Sequence, residues 1–322
     1  MPLSAGRIRA GLCAVLLTLL VSPAPAAALD LDPGDLVVSN TYAQTILRVT
    51  PRNGATHVIS SNSKSTLAGG GAFLSFPFGL AFAGNGDVLV ADRDAFGGTG
   101  GVIRIDSSDG AQTEVSSNAT SLAAGGEAVF DQPGAIVRGA HGKLFTTDFG
   151  STPNVAKVDP ANGKATALSS GGGLVKPWGM TMAAGGLMVA DAEAFGGHGG
   201  VIRVDSKSGH QRVISKGGRF REPYGVVPAR HGKLYVTDTE AFPGVHGGVI
   251  GVDPRDGSQT KVSAGGNFVD PAGIGKEAGG DLVVTDFGAG ALVRVHPKSG
   301  HQHVIRPGLQ SPLDVEVVPR RR

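Results

Sequence analysis

Short apolar runs recur along the chain: LVVS (36–39), VLVA (88–91), LFTT (144–147), LMVA (187–190), LYVT (234–237) and LVVT (282–285). A Pro-x-Gly, an apolar stretch and a tight turn lead into such a run. After it come a loop of variable length, a second apolar segment of the VIRID kind, an SSDG-like turn and a segment in which polar and apolar positions alternate. Brief apolar runs bounded by turn residues, with period-two alternation at the end, predict four short strands per unit. The unit prolines, Pro77, Pro133, Pro177, Pro223, Pro271 and Pro312, are spaced by 56, 44, 46, 48 and 41 residues, which suits the four-stranded blade of a β-propeller.

The two ends of the pattern are complementary. GDLVVSN (34–40) opens on a second strand with no first strand before it, and the chain closes on a lone first strand, LDVEVVP (313–319). Pairing the C-terminal strand into the N-terminal blade would close a ring and remove its open edges. The expected fold is therefore all-β, a single six-bladed β-propeller over residues 29–319. The turns DSSDGA, DPANGK, DSKSGH, DPRDGS, HPKSGH and TPRNGA support this, since each starts a type I turn and places a glycine where a left-handed residue is needed.

Composition agrees, with 52 glycines among 322 residues. Residues 1–28 carry Arg7 and Arg9, an apolar run and SPAPAAA, the layout of a cleaved signal peptide. The expected location is secreted or periplasmic, and no other stretch is long and apolar enough to span a bilayer. Cys13, the single cysteine, lies in that segment, so the processed chain would have neither disulfide nor thiolate site. Formal charge is only +2, which gives no reason to expect nucleic acid or an anionic membrane. Residues 320–322 form a short basic tail, and the sequence does not set the oligomeric state.

The unit PWGMTMAAGGLMVADAEAFGGHGGVIRVDSKSG (177–209) resembles the NHL repeat, with its Pro-x-Gly, an apolar-x-Val-x-Asp strand and an Arg-Ile-like strand. The resemblance extends over 34–318. Similar six-bladed propellers of the TolB-like and gluconolactonase-like kind include calcium-dependent lactonases, lyases, peptidyl-amine-forming enzymes and pure binding modules, so the resemblance implies a fold and leaves the reaction open.

In a four-stranded meander the loops between second and third strands leave the same rim as the loops between blades. That rim is the expected site, over the mouth of the central channel. The residue within Pro-x-Gly varies: Phe78, Gly134, Trp178, Tyr224, Ala272 and Leu313. The three aromatic cases coincide with the long loops DRDAFGGTGG, DAEAFGGHGG and DTEAFPGVHGG, which suggests that Phe96, Phe195 and Phe242 pack on Phe78, Trp178 and Tyr224. Ligand-binding candidates are Phe78, Trp178, Tyr224, Arg219, Arg221, Asp94, Glu193 and Glu240. Asp92, Asp191 and Asp238 offer oxygens for a divalent cation such as calcium, although an aspartate recurring in nearly every blade fits better with satisfying loop amides. His198 and His246 differ between loop copies and are candidates for acid–base chemistry. Two functions remain open: a binding module for a small molecule, glycan, peptide or partner protein, and a metal- or histidine-dependent hydrolase or lyase.

Overall fold

A computed structural model describes Met1 and residues 31–183 and 185–320. The segment read as a signal peptide lies, Met1 apart, outside the described residues. So do the last two arginines of the tail.

Six four-stranded antiparallel sheets are arranged as blades, and all six apolar runs form second strands. The blades are numbered one to six from the N-terminus. Blade one is composite: its first strand is Pro312–Val317, which pairs with Leu36–Asn40 through Leu36 opposite Val317, Val37 opposite Glu316 and Val38 opposite Val315. The ring is closed as the end-to-end complementarity predicts.

Because each sheet is covered on both faces by its neighbours, its strands need apolar residues on both faces. One core lies in each gap between blades. Val37, Ile46 and Ile59 of blade one meet Leu80, Val90 and Ile103 of blade two, and the gap that closes the ring holds Leu36, Val38, Leu47, Val283, Leu292 and Val315. Each loop entering a blade adds an apolar anchor three residues before its proline: Leu74, Phe130, Leu174, Phe220, Phe268 and Leu309, all buried. Burying such a side chain contributes about 1.5–3 kcal/mol. On the outer strands, the hydroxyls of Ser60, Ser116, Ser169, Ser215 and Ser263 donate to Gly110, Gly163, Gly209, Gly257 and Gly300 in the turn of the following blade.

At the axis the first strands approach backbone to backbone, and this explains the glycine of Pro-x-Gly. A Cβ on Gly179 would stand 2.1 Å from the Tyr224 carbonyl oxygen, and one on Gly79 would stand 2.6 Å from that of Gly134. The last unit has Asp314 at this position, and it is held as a bridge. Its amide donates to Ser39 Oγ (2.9 Å), and its carboxylate accepts from the Leu80 amide of blade two (2.8 Å).

Truncation after Gly308 removes the Leu309 anchor and the closing strand, leaving Leu36–Asn40 as an open edge. The shortened chain is expected to aggregate on size-exclusion chromatography and to lose a cooperative thermal transition in circular dichroism. A soluble, cooperatively melting product would show that closure is dispensable.

Candidate functional site

The aspartate ending each second strand is fully buried in blades two to six, as Asp92, Asp148, Asp191, Asp238 and Asp286. Each gathers amides from two loops. Asp191 accepts from Val175 (2.8 Å) and Lys176 (3.0 Å) of the incoming loop, and from Glu193 (3.2 Å) and Ala194 (2.8 Å) of its own. Asp92 does the same with Ser75, Phe76 and Asp94, and Asp238 with Arg221, Glu222 and Glu240. Blade one uses Asn40, whose Oδ1 accepts from Gln310 while its Nδ2 donates to Thr45. Burial raises the carboxyls of Asp148, Asp191 and Asp238 and pushes that of Asp92 up to about 6, against the lowering effect of the amides.

Asp92, Asp191 and Asp238 therefore have the loop-holding role, and the donor set does not suit calcium. A cation at these oxygens would face the positive ends of the same N–H dipoles. Among the described residues no three histidine, aspartate or glutamate side chains converge in a way that could hold a metal ion.

The expected packing of the long-loop phenylalanines needs correction. Phe96 and Phe195 adopt left-handed backbone (φ 52° and 56°) and Phe242 does not, and all three rings lie over the first glycine of the third strand. A Cβ on Gly101 would meet the Phe96 ring at 2.8 Å, on Gly200 the Phe195 ring at 2.6 Å, and on Gly248 the Phe242 ring at 2.8 Å. Phe96 pairs with Phe73, and Lys216 lies over Phe195; none of the three pairs with Phe78, Trp178 or Tyr224. The preceding glycines, Gly100, Gly199 and Gly247, have positive φ and abut the proline of the next blade. The repeated AFGG segment is scaffold.

Phe78, Trp178 and Tyr224 do converge, at the axis. Phe78 stacks on Tyr224 (5.7 Å, 5°), Tyr224 meets Trp178 (4.5 Å), Trp178 meets Phe149 edge-on (6.5 Å), and Phe149 returns to Phe78 (5.5 Å). These four rings close a cycle. Beside it run Phe76, Tyr42 and Phe287, with Tyr42 centred 6.0 Å from Phe76 and 5.7 Å from Phe287. Together they line a cup of about 310 Å³ on the loop-rich rim, with Arg93, Glu222, Thr239 and Asp270 among its walls.

Sequence reasoning missed Tyr42, Phe149, Phe287, Phe76, Arg93 and Asp270. A signal was available. Blades two, four and five supply an aromatic within Pro-x-Gly, whereas blades three and six have Gly134 and Ala272 there and carry Phe149 and Phe287 directly after the second-strand aspartate. Blade one, with Leu313, supplies Tyr42 two residues after Asn40. The choice is alternative because the two positions are neighbours. The amide of the residue following the aspartate donates to the carbonyl just before the proline, as Phe149 to Gln132 (3.1 Å) and Phe287 to Asp270 (2.9 Å).

The other predicted residues lie around the cup. Asp94 holds Arg93 with two hydrogen bonds (2.8 and 2.7 Å), and the guanidinium covers Phe76 at 3.6 Å. Glu193 pairs with Lys176 (2.9 Å), whose ammonium lies over Trp178. Glu240 is exposed, as are Arg219 and Arg221, the latter donating to the carbonyls of Gly218 and Phe220. His198 and His246 are exposed on separate loops outside the cup.

Phe78, Trp178, Tyr224 and Leu313 form the floor, since they also line the channel beneath, a cavity of about 270 Å³. Asp314 and Glu316 face that channel, where Lys276 donates to the Pro228 carbonyl. Burial raises both carboxyls, and the charge of Asp314 raises Glu316 further. Burial likewise raises the Tyr224 phenol, reinforced by Asp314, Asp270 and Glu222.

No family model matches this chain, and no curated protein does. Among solved structures, a chain from the crystal structure of a nidogen/laminin complex superposes with a TM-score of 0.69 at 14% identity, covering 89% of this chain and 99% of that one. At that identity the likeness shows the fold alone: a six-bladed β-propeller. No helix among the described residues is long and apolar enough to cross a membrane.

Two outcomes follow from this geometry. Trp178→Leu and Tyr224→Leu are expected to be non-additive in urea unfolding by about 0.5–1.5 kcal/mol, because the rings touch. Trp178→Leu and Phe195→Leu should add within about 0.5 kcal/mol, so the reverse ranking would contradict the ring assignment. The raised carboxyl of Glu316 also has a definite sign. The folded chain holds this proton to higher pH than the unfolded one, so ionisation costs stability as pH rises from the ordinary glutamate value. Glu316→Gln removes that cost, and its melting temperature is expected to gain on the parent protein by about 2 °C or more between about pH 5 and about pH 8. A constant difference would mean that Glu316 is not a strained acid.

Proposed function

We propose that this chain is an exported, NHL-like binding propeller that docks a partner protein on its loop-rich face, with the aromatic cup at the centre of the contact. The carrying observation is the convergence of seven rings at an open mouth, with Tyr42 at 63% exposure. Buried aromatic clusters within a polar rim are where binding energy concentrates in protein interfaces. The nidogen/laminin chain of similar fold comes from a complex of two proteins, which supports the same use of the scaffold here. Residues 1–28 support export through their composition. Hydrolysis through His198 or His246 stands second, because each ring is exposed and has no hydrogen-bonded partner among the described residues to orient it.

The test places a photo-crosslinking phenylalanine analogue at Tyr42 on the cup lip, or at His141 in an exposed turn of the opposite rim, in cells that make the protein. A discrete adduct is expected from position 42 and none from 141. The partner so identified, once purified, should bind at least about tenfold more weakly to Trp178→Ala, or about 1.4 kcal/mol. Equal labelling at both positions, no adduct, or full affinity for the variant would overturn the reading.

A further inference from the structure

We infer that the cup holds an ammonium-type organic cation, which the docking reading above, on which this rests, makes a lysine-like side chain of the partner. Cations are attracted to ring faces, and the protein already shows this twice at the rim, with Arg93 over Phe76 and Lys176 over Trp178. Both of those cations are neutralised within their own blade, by Asp94 and by Glu193. The acids across the cup are not. Glu222 accepts only the Thr239 hydroxyl (2.8 Å), and Asp270 has no side-chain hydrogen bond or ion pair among the described residues. Asp270 is pushed up to about 6 by burial and then by Asp286, Glu222 and Glu240, with no cation lowering it.

The floor reports the same imbalance. Tyr224 is 8% exposed, and its phenol has no hydrogen-bond partner among the described residues. Of the charges acting on it, Asp314, Asp270 and Glu222 outnumber Arg93. Other guests match less well. An anion would have to break the two-bonded Arg93–Asp94 pair and then sit near two uncompensated carboxylates. A neutral guest would bury those carboxylates without a counter-charge, which is costly. An alkylammonium supplies the missing charge, lays its methylenes on the rings and fits within about 310 Å³.

Trp178, the one tryptophan of the chain, lines the cup and reports on it by fluorescence. At constant ionic strength and neutral pH, the intact protein is titrated with N-acetyl-lysine methylamide against N-acetyl-norleucine methylamide, and with choline against its neutral isostere 3,3-dimethylbutan-1-ol. The lysine derivative is expected to bind saturably and at least about tenfold more tightly than its neutral counterpart. Asp270→Asn and Glu222→Gln should each weaken it about three- to tenfold while leaving the thermal transition in place. Equal affinity for charged and neutral probes, or no response, overturns the inference, and so does binding of choline alone, which would make the guest a free small amine. The two readings separate cleanly. Undiminished cross-linking from position 42 in the doubly neutralised protein removes the cation and leaves docking intact, whereas saturable lysine binding without any cross-link does the reverse.

Discussion

Everything at the mouth depends on one buried carboxylate in each of blades two to six, which makes no ion pair among the described residues. Loops leaving and entering a propeller rim expose amides that no strand can satisfy, and an unpaired buried amide costs about 1–3 kcal/mol. Asp191 satisfies four of them at once, two from each loop. Desolvation of the charge raises the carboxyls of Asp92, Asp148, Asp191 and Asp238, and the amide dipoles offset it. The same bonds fix the backbone on both sides of the carboxylate, at the residue after the aspartate and just before the proline. Most of the cup's rings come from the residue after the aspartate and from the residue after the proline, each next to backbone that these bonds hold.

This explains why the cup can be aromatic all round while its contributors differ. In blades three to six a ring at one of these two positions is matched by a smaller residue at the other, whereas blade two has Phe78 and Arg93, the latter laid over Phe76. Phe149 lies against Gly134, where a Cβ would stand 3.3 Å from its ring, Phe287 clusters with Ala272, and Trp178 is matched in sequence by Ala192 after Asp191. The space is set by ring closure and the residue identities are free to vary within it, which is how a repeat scaffold acquires an asymmetric site. The glycines of Pro-x-Gly bring the first strands close enough for the rings to touch. Blade three has Ala135 and blade one Asp314 at this position, and Asp314 spans the remaining gap with its carboxylate on the Leu80 amide.

The fold was legible because it is written in local chemistry: period-two strands, turns with a fixed glycine, and two chain ends that each lack what the other has. Half of the cup was legible for the same reason, as Phe78, Trp178 and Tyr224 stand out against a Pro-x-Gly frame that four of the six units keep. The other half was written at a different offset. Phe149 and Phe287 follow the aspartate, and comparing one alignment column at a time separates them from residues that occupy the same space. The long-loop phenylalanines misled for a conformational reason. Their rings cover Gly101, Gly200 and Gly248 of their own blades, and at Phe96 and Phe195 the backbone is left-handed, a φ uncommon enough in phenylalanine that a sequence pattern does not announce it. Asp270 and Glu222 look like ordinary loop acids until the ring places them across the mouth from Arg93.

That placement gives the cup its polarity. Arg93 and Lys176 bring positive charge to one arc of the rim, but Asp94 and Glu193 cancel it locally, so at longer range those pairs act as dipoles. Among the described residues, Glu222 and Asp270 on the other arc and Asp314 in the channel have no such partners, and a narrow mouth with low-dielectric aromatic walls screens their field less than an open surface would; Glu316, which keeps its proton to higher pH, adds crowding and no field. Keeping four acids near one axis is unfavourable for the empty protein, as the raised carboxyls of Asp270, Asp314 and Glu316 record. A guest cation would relieve that cost on arrival, so the strain carried by the free protein becomes selectivity in the complex.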